Sequence, residues 1–358
     1  MKRFFAVLLC IGISGIWSCK RGGSFPDPGA ENGKTCPVEF SAAGATVLQA
    51  AATKADINLT EGTTVRVFVY KRAPGSAAAD PAADTYVTEN TYKILSDGSF
   101  EPCTTDASGG VIAGSGSPME LHTGEYDFYA YAPAAEMSAR PELQVEHGTD
   151  LIATGAVTRL VSGKRTEVDL LFTHRASQLH FTVTRKADAH TVYAVSMQDA
   201  GVTVGKLAAS PAAYRLGGSL RVAGTAYSGV SEIPGSRFTQ VNDYTASVLD
   251  TILPREANSD PEDDLTLTFN VLINQSLYRT YTATVSGREF RPGNRYLFNV
   301  TIKDGGAVLT MFELLPWTNN VMTDMEVGGD PSNGIVLGEW TETGWSTGMG
   351  EGDGEFAF

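Results

Sequence analysis

Alternation is the feature that most limits how this chain can fold. Leu265, Leu267, Phe269, Val271 and Ile273 put an apolar side chain at every second position for nine residues. That period fits a strand with one buried face and misfits a helix, whose apolar positions recur every three or four residues. The same rhythm returns at Val65, Val67 and Val69, at Leu179, Phe181 and Val183, and at Tyr296, Phe298, Val300 and Ile302. Residues 126–131 read as a short aromatic strand stopped by Pro133, and Val168, Leu170 and Phe172 share an apolar face. Asn274-Gln275-Ser276 is a turn that lays residues 277–285 back on the Leu265 strand as a hairpin. Residues 307–315 follow the Tyr296 strand as a further extended run, and residues 73–84, rich in Pro, Ala and Gly, read as a loop. With no amphipathic helix of more than about three turns in view, the expected class is all-β, built as sandwiches.

A length of 358 residues exceeds one ordinary core and points to two domains. A hydrophobic content of 42% excludes wholesale disorder. With 27 Lys and Arg against 41 Asp and Glu, a nucleic-acid partner is not expected, because phosphate backbones call for clustered cations. A faint echo supports the two domains. Gly124-Glu125-Tyr126-Asp127-Phe128 and Gly293-Asn294-Arg295-Tyr296-Leu297-Phe298 each deliver a Tyr-x-Phe strand from a glycine turn.

The N-terminus reads as an address. Lys2 and Arg3 precede an apolar run from Phe4 to Ile16, too short to span a bilayer comfortably and suited to a signal segment. Ile16-Trp17-Ser18-Cys19 then resembles the bacterial lipobox, which implies cleavage after residue 18 and acylation of Cys19. Several acyl chains make a lasting membrane anchor where one does not. Residues 19–37, polar and rich in Gly and Pro, read as a flexible tether. The expected division is a signal at 1–18, the tether, one sandwich over 38–164, a second over 165–326, and a tail from 327 to 358. Cys36 and Cys103 remain as a candidate bridge in an oxidising compartment, although their spacing carries no geometric information. The tail holds seven acidic residues from Glu326 onward and no Lys or Arg, yet carries Trp340, Trp345, Phe356 and Phe358. A plain solvated tail would not hold four large aromatics.

Catalytic chemistry is hard to assemble. Gly344-Trp345-Ser346-Thr347-Gly348 matches G-x-S-x-G, but the last histidine, His190, precedes it, against the hydrolase order. Ser162-Gly163-Lys164 lacks the upstream glycine of a phosphate loop, and reads as a turn. His174 and His180 have no evident third ligand, and Asp260, Glu262, Asp263 and Asp264 read as a charged surface loop. No catalytic, cofactor or metal site is therefore assigned, and the chain is expected not to be an enzyme.

Several stretches resemble the fimbrillin (Mfa-like) family of bacterial pilus proteins. Residues 123–133, ending Ala130-Tyr131-Ala132-Pro133, are similar to its aromatic strand. Leu170, Phe172, His174, Ser177 and Leu179 match its L-x-F-x-H-x-x-S-x-L segment, and Arg291-Pro292-Gly293-Asn294-Arg295-Tyr296 and Pro316-Trp317-Thr318 its later landmarks. The resemblance implies two transthyretin-like β-sandwich domains in tandem, exported as an outer-membrane lipoprotein to the cell surface. It implies a subunit of fimbriae that polymerises when a protease removes its first strand and a neighbour's strand fills the groove. The first strand then lies at residues 38–40 or 46–48, with Lys54 as the processing site, since no Arg lies between Arg21 and Arg66. The donor is the tail, through Ile335, Leu337, Phe356 and Phe358. The implied partners are other fimbrial subunits, the outer membrane through the lipid, and a host or bacterial surface receptor. The alternative is a lipid-anchored surface protein that binds a glycan or host ligand and does not polymerise. A tail that projects free favours the first reading; one packed on its own domain favours the second.

Overall fold

The computed structural model describes residues 35–42, 59 and 61–314, with short gaps at 74, 77, 106–110, 113, 138, 186–194, 222–226, 258–259, 274–276, 286–288 and 304–305, together with 335–337 and 341–347. Its elements are strands and two short 3-10 turns, Gly235–Arg237 and Pro261–Asp263. In chain order the strands begin with β1 (Thr35–Ser41), β2 (Thr64–Lys71), β3 (Thr85–Ile94), β4 (Phe100–Thr105), β5 (Val111–Ile112) and β6 (Met119–His122). They continue with β7 (Gly124–Ala132), β8 (Glu142–Val145), β9 (Ile152–Thr154), β10 (Val157–Val161), β11 (Thr166–Asp169) and β12 (Phe172–His174). The second half holds β13 (Ser177–Arg185), β14 (Val195–Leu207), β15 (Ala212–Arg215), β16 (Leu220–Arg221), β17 (Gly229–Pro234), β18 (Thr239–Asn242) and β19 (Thr245–Ile252). Last come β20 (Leu265–Ile273), β21 (Leu277–Val285), β22 (Arg295–Lys303), β23 (Gly306–Leu314), β24 (Ile335–Leu337) and β25 (Thr341–Thr347).

These strands make two sandwiches. In the first, the three-stranded sheet β11-β1-β6 covers an eight-stranded sheet ordered β12-β9-β7-β2-β3-β4-β5, with β10 beside β7. Val65, Val67 and Val69 of β2, Phe128 of β7 and Val168 of β11 fill the space between, as their alternation requires. In the second, the sheet β18-β19-β13-β22-β23-β24 packs on β17-β14-β20-β21-β25. Its core is Leu179, Phe181 and Val183 against Leu265, Leu267 and Phe269, with Phe181 and Phe298 stacked at 4.9 Å. The Leu265 hairpin is in place, Ile273 facing Leu277 across β20 and β21.

The glycine–tyrosine echo has a physical basis. Tyr126 donates its hydroxyl to His122 O at 3.0 Å, and Tyr296 accepts the Arg291 N–H at 2.7 Å. Each ring thus ties its strand to the turn just before it, a corner typical of sandwiches.

The large sheet is buried on both faces. Its far side presents Phe68, Tyr70, Tyr129 and Tyr131 to Leu143, Val145, Ala212 and Tyr214. Those residues come from a third sheet, β16-β15-β8, which pairs a strand of the first half with an excursion of the second. The turn after β15 lies so close to Tyr129 that a Cβ on Gly217 would stand 2.6 Å from the ring, at a φ of +72°. The alternation rule, which sets Tyr126 against Tyr129 and Tyr131, holds: Tyr126 joins the first core and the other two join this interface.

Two boundaries shift. Thr35, Cys36 and Pro37, expected in the tether, belong to β1, because Cys36 continues the inward rhythm of Val38 and Phe40. Pro37 is tolerated there because β11 flanks the strand only from Val38 onward. At the other end, β11 pairs with β1 and β12 with β9, so residues 166–174 sit in the first sandwich, beyond the limit expected at 164. The segment reads as one alternating run, and alternation cannot show that Val168 and Phe172 serve different sheets. His174 and His180 accordingly lie on different strands, and His174 Nδ1 is 2.7 Å from Asp150 Oδ1.

Candidate functional site

The candidate site is β1. It lies between two strands distant in sequence, parallel to β11 (Val38 opposite Thr166, Phe40 opposite Val168) and antiparallel to β6 (Cys36 opposite Leu121, Val38 opposite Met119). Cys36, Val38 and Phe40 point inward and are 2%, 2% and 5% exposed, while Thr35 and Glu39 face out. Phe40 is the anchor. Its ring meets Tyr92 at 5.2 Å and Phe128 at 5.7 Å edge to face, with Phe100 at 6.4 Å. Aromatic pairs in this geometry contribute more than their buried area alone.

Outside the core, β1 is fastened at its margins. Thr35 Oγ1 donates to Glu120 Oε2 at 2.8 Å and Ser41 Oγ to Asp169 Oδ1 at 2.6 Å, both on the surface. Glu39 meets Arg165 at 2.9 Å with both side chains about half exposed, so the pair contributes little. Leu170 N–H donates to Ser41 O at 2.9 Å, carrying the ladder past the strand's end. The Cys36 thiol donates to Gly163 O at 2.9 Å, and Cys36 and Cys103 are both buried and free, so the candidate bridge is not formed.

This arrangement defines what its removal does. Without β1, β11 and β6 face each other with unpaired N–H and C=O groups, over a floor that includes Tyr92, Phe100 and Phe128. A gap of that kind accepts an extended peptide: the backbone supplies affinity, and alternate side chains supply selection. The largest side chain that β1 places there, Phe40, is an aromatic ring among aromatic rings.

The strand at residues 38–40 is therefore seen, within β1. The other expected position, 46–48, lies outside the described residues, as do Cys19, Lys54, Phe356 and Phe358. Ile335 and Leu337 belong to β24, whose backbone pairs with β23 of the same chain, Ile335 opposite Met311 and Leu337 opposite Leu309. β25 likewise lies against β21, with a register shift between Arg279 and Tyr281. Residues 335–337 and 341–347 thus sit on the outer edges of their own second sandwich, where they cover edges that would otherwise stand open.

Ser346 falls within β25, opposite Tyr278, so the sharp strand-to-helix turn that exposes a nucleophile is not formed there. Among the described residues, no group of three or more His, Cys, Asp and Glu is gathered to hold a metal ion, and no helix is long and apolar enough to cross a membrane.

Sequence reasoning missed a buried ionic cluster beside the large sheet. Asp127, fully buried on β7, accepts Arg72 Nη2 at 2.8 Å, Arg72 Nε at 3.1 Å and Thr158 Oγ1 at 2.5 Å. The Asp127 hydrogen bonds hold the Arg72 guanidinium above its usual value. The signal was available: an aspartate inside the aromatic run from Tyr126 to Tyr131 needs a cation.

Comparison with known proteins gives a consistent answer. The sequence model of a family described as fimbrillin-like matches residues 35–321. Among solved structures, a cell adhesion protein of Bacteroides fragilis is 20% identical, at a TM-score of 0.57 over 80% of this chain and 100% of its own. Another from Bacteroides uniformis is 17% identical, at a TM-score of 0.50 over 79% of this chain and 98% of its own. The tip fimbrial protein Mfa3 of Porphyromonas gingivalis is 8% identical, at a TM-score of 0.43 over 79% of this chain and 100% of its own, and carries no argument at that score. At these identities the likeness is one of fold. No curated protein matches the chain.

Proposed function

The chain belongs to the fimbrillin-like family, and on that premise we propose that it is a structural or adhesive subunit of cell-surface fimbriae, assembled by exchange of β1. The observation that carries this reading is the position of β1: first among the described strands, central in its small sheet, and inserted between strands that do not depend on it for connectivity. In the proposed sequence of events, Cys19 is acylated and holds the chain at the outer membrane. Cleavage at Lys54, in the connection between β1 and β2, then frees β1. Another subunit's tail enters between β6 and β11, presenting Ile335 and Leu337 or Phe356 and Phe358 at alternate positions. Two or three buried apolar side chains at roughly 1.5–3 kcal/mol each, together with two main-chain ladders, would make a durable joint. The proposal gives the chain no catalytic role. Its partners are other fimbrial subunits, the outer membrane and a surface receptor.

A second reading has one observation in its favour. The strands β24 and β25 lie on the chain's own sheets, which suits a lipid-anchored surface protein that binds a glycan or host ligand and stays single. In the first reading these pairings are a resting state: β24 is three residues long and β25 has an irregular register, so both are cheap to release. Deleting residues 330–358 separates the two. Loss of the high-mass ladder on gels of unboiled fimbriae supports strand exchange; an intact ladder excludes the tail as donor, and the absence of any ladder in the wild type supports the second reading.

A further inference from the structure

The two sandwiches meet along a seam away from β1, and an ionisable side chain crosses it. His147 sits on the turn after β8, in the first half of the chain. Its partners belong to the second. Nδ1 accepts the Leu253 N–H at 3.1 Å, and Nε2 lies 3.0 Å from Ala208 O. A backbone N–H can only donate, so Nδ1 carries the lone pair and Nε2 the proton that goes to Ala208. Beside the ring, Gly148 N–H donates to Thr251 O at 2.7 Å, a second link across the seam.

The ring has little room to adapt. A Cβ on Gly229 of β17 would stand 1.9 Å from Ala208 O and 2.9 Å from His147 Nε2. The β17 backbone therefore closes over the contact. Burial pushes the imidazole below its ordinary value, opposed by the bond to Ala208 and the charge of Asp250. Asp250, on β19, is already engaged by Arg237 Nη1 at 2.7 Å and Ser231 Oγ at 2.7 Å. On its own turn, His147 has Glu146 as neighbour, and Asp150 bonds to His174 Nδ1 at 2.7 Å. The other segments against it, residues 207–211, 229–230 and 253–254, carry no charged side chain.

We propose that His147 is a pH-sensitive latch between the sandwiches, closed when the ring is neutral and released when a second proton reaches Nδ1. That proton sets an N–H against the Leu253 N–H and leaves the amide without its acceptor. In the opened seam the imidazole is hydrated and titrates near its ordinary value of 6.5. The closed seam, with its lowered value, binds fewer protons, so closure is fully favoured above about pH 6.5 and weakens as the pH falls through the lowered value. One proton allows up to about a tenfold rise in opening per pH unit below 6.5.

The test is hydrogen–deuterium exchange on the full chain extracted in detergent, at about pH 7.5 and 5.5, corrected for intrinsic rates. The peptides covering Leu253 and Gly148 are compared with one from β22. His147→Gln keeps an N–H for Ala208 and cannot titrate. Protection at Leu253 and Gly148 that falls several-fold at the lower pH in the wild type, and stays level in H147Q, supports the latch. Protection that stays level in the wild type, or falls equally in H147Q, overturns it, the second outcome assigning the loss to another titrating group. Should H147Q not fold, the wild type labelled at its histidines decides by NMR. A His147 titration below that of free imidazole that coincides with the loss of Leu253 protection supports the latch; one near 6.5 with protection unchanged overturns it.

Discussion

Phe40→Ala tests whether β1 is held by its side chains. Phe40 is 5% exposed and touches three aromatic rings, so truncation leaves a cavity that rigid neighbours cannot fill. Such replacements cost about 3–5 kcal/mol, a large share of the stability of an ordinary domain. For a unit of this size, each kcal/mol moves the midpoint by about 2–4 °C, so calorimetry should show a fall of roughly 6–20 °C. Glu39→Ala is the matched control, one residue away on the same strand but outward, with its Arg165 partner also half exposed. Its expected shift is under about 2 °C. The truncated strand should also be cut from the fold faster by limited proteolysis after residue 42. An F40A midpoint within about 2 °C of wild type, or an E39A effect as large, would refute the idea that burial at Phe40 holds the strand.

Other outcomes follow from the same structure. Burial pushes Tyr70 and Tyr92 up to about 12 from an ordinary 10.0. The unfolded chain therefore loses these protons first, and stability should fall as pH rises from about 10 towards 12; a phenolate absorbance titration in which every tyrosine ionises near 10 in the folded protein would contradict this. Cys36 and Cys103 are buried thiols, so a thiol reagent should reach neither in native protein and both after denaturation. Rapid labelling of Cys36 in the intact chain would mean that β1 does not stay in its groove.

Much of the fold was legible locally. The rhythms of β2, β13, β20 and β22 name their buried faces, because a half-buried strand must alternate. The residue types Asn274-Gln275-Ser276 likewise announce the hairpin of β20 and β21, since the two strands are neighbours in sequence. What alternation cannot give is the partner. The bond from Ser41 to Asp169 joins residues 128 apart, and no local pattern encodes the parallel pairing of β1 with β11. The sheet formed by β8, β15 and β16 was hidden for the same reason, although Tyr129 and Tyr131 hinted that β7 is buried on both sides. In the tail it is again the pairing that gave no local sign: Gly334 and Gly338 flank residues 335–337 and Gly344 interrupts residues 341–347, yet both stretches are strands, laid on β23 and β21.

Mass spectrometry of the N-terminus in fimbriae and in membrane fractions reaches the exchange of β1 most directly. The membrane form should begin at acylated Cys19, and the polymerised form at Ala55, with β1 gone. Polymer subunits that still carry residues 35–41 would contradict the account.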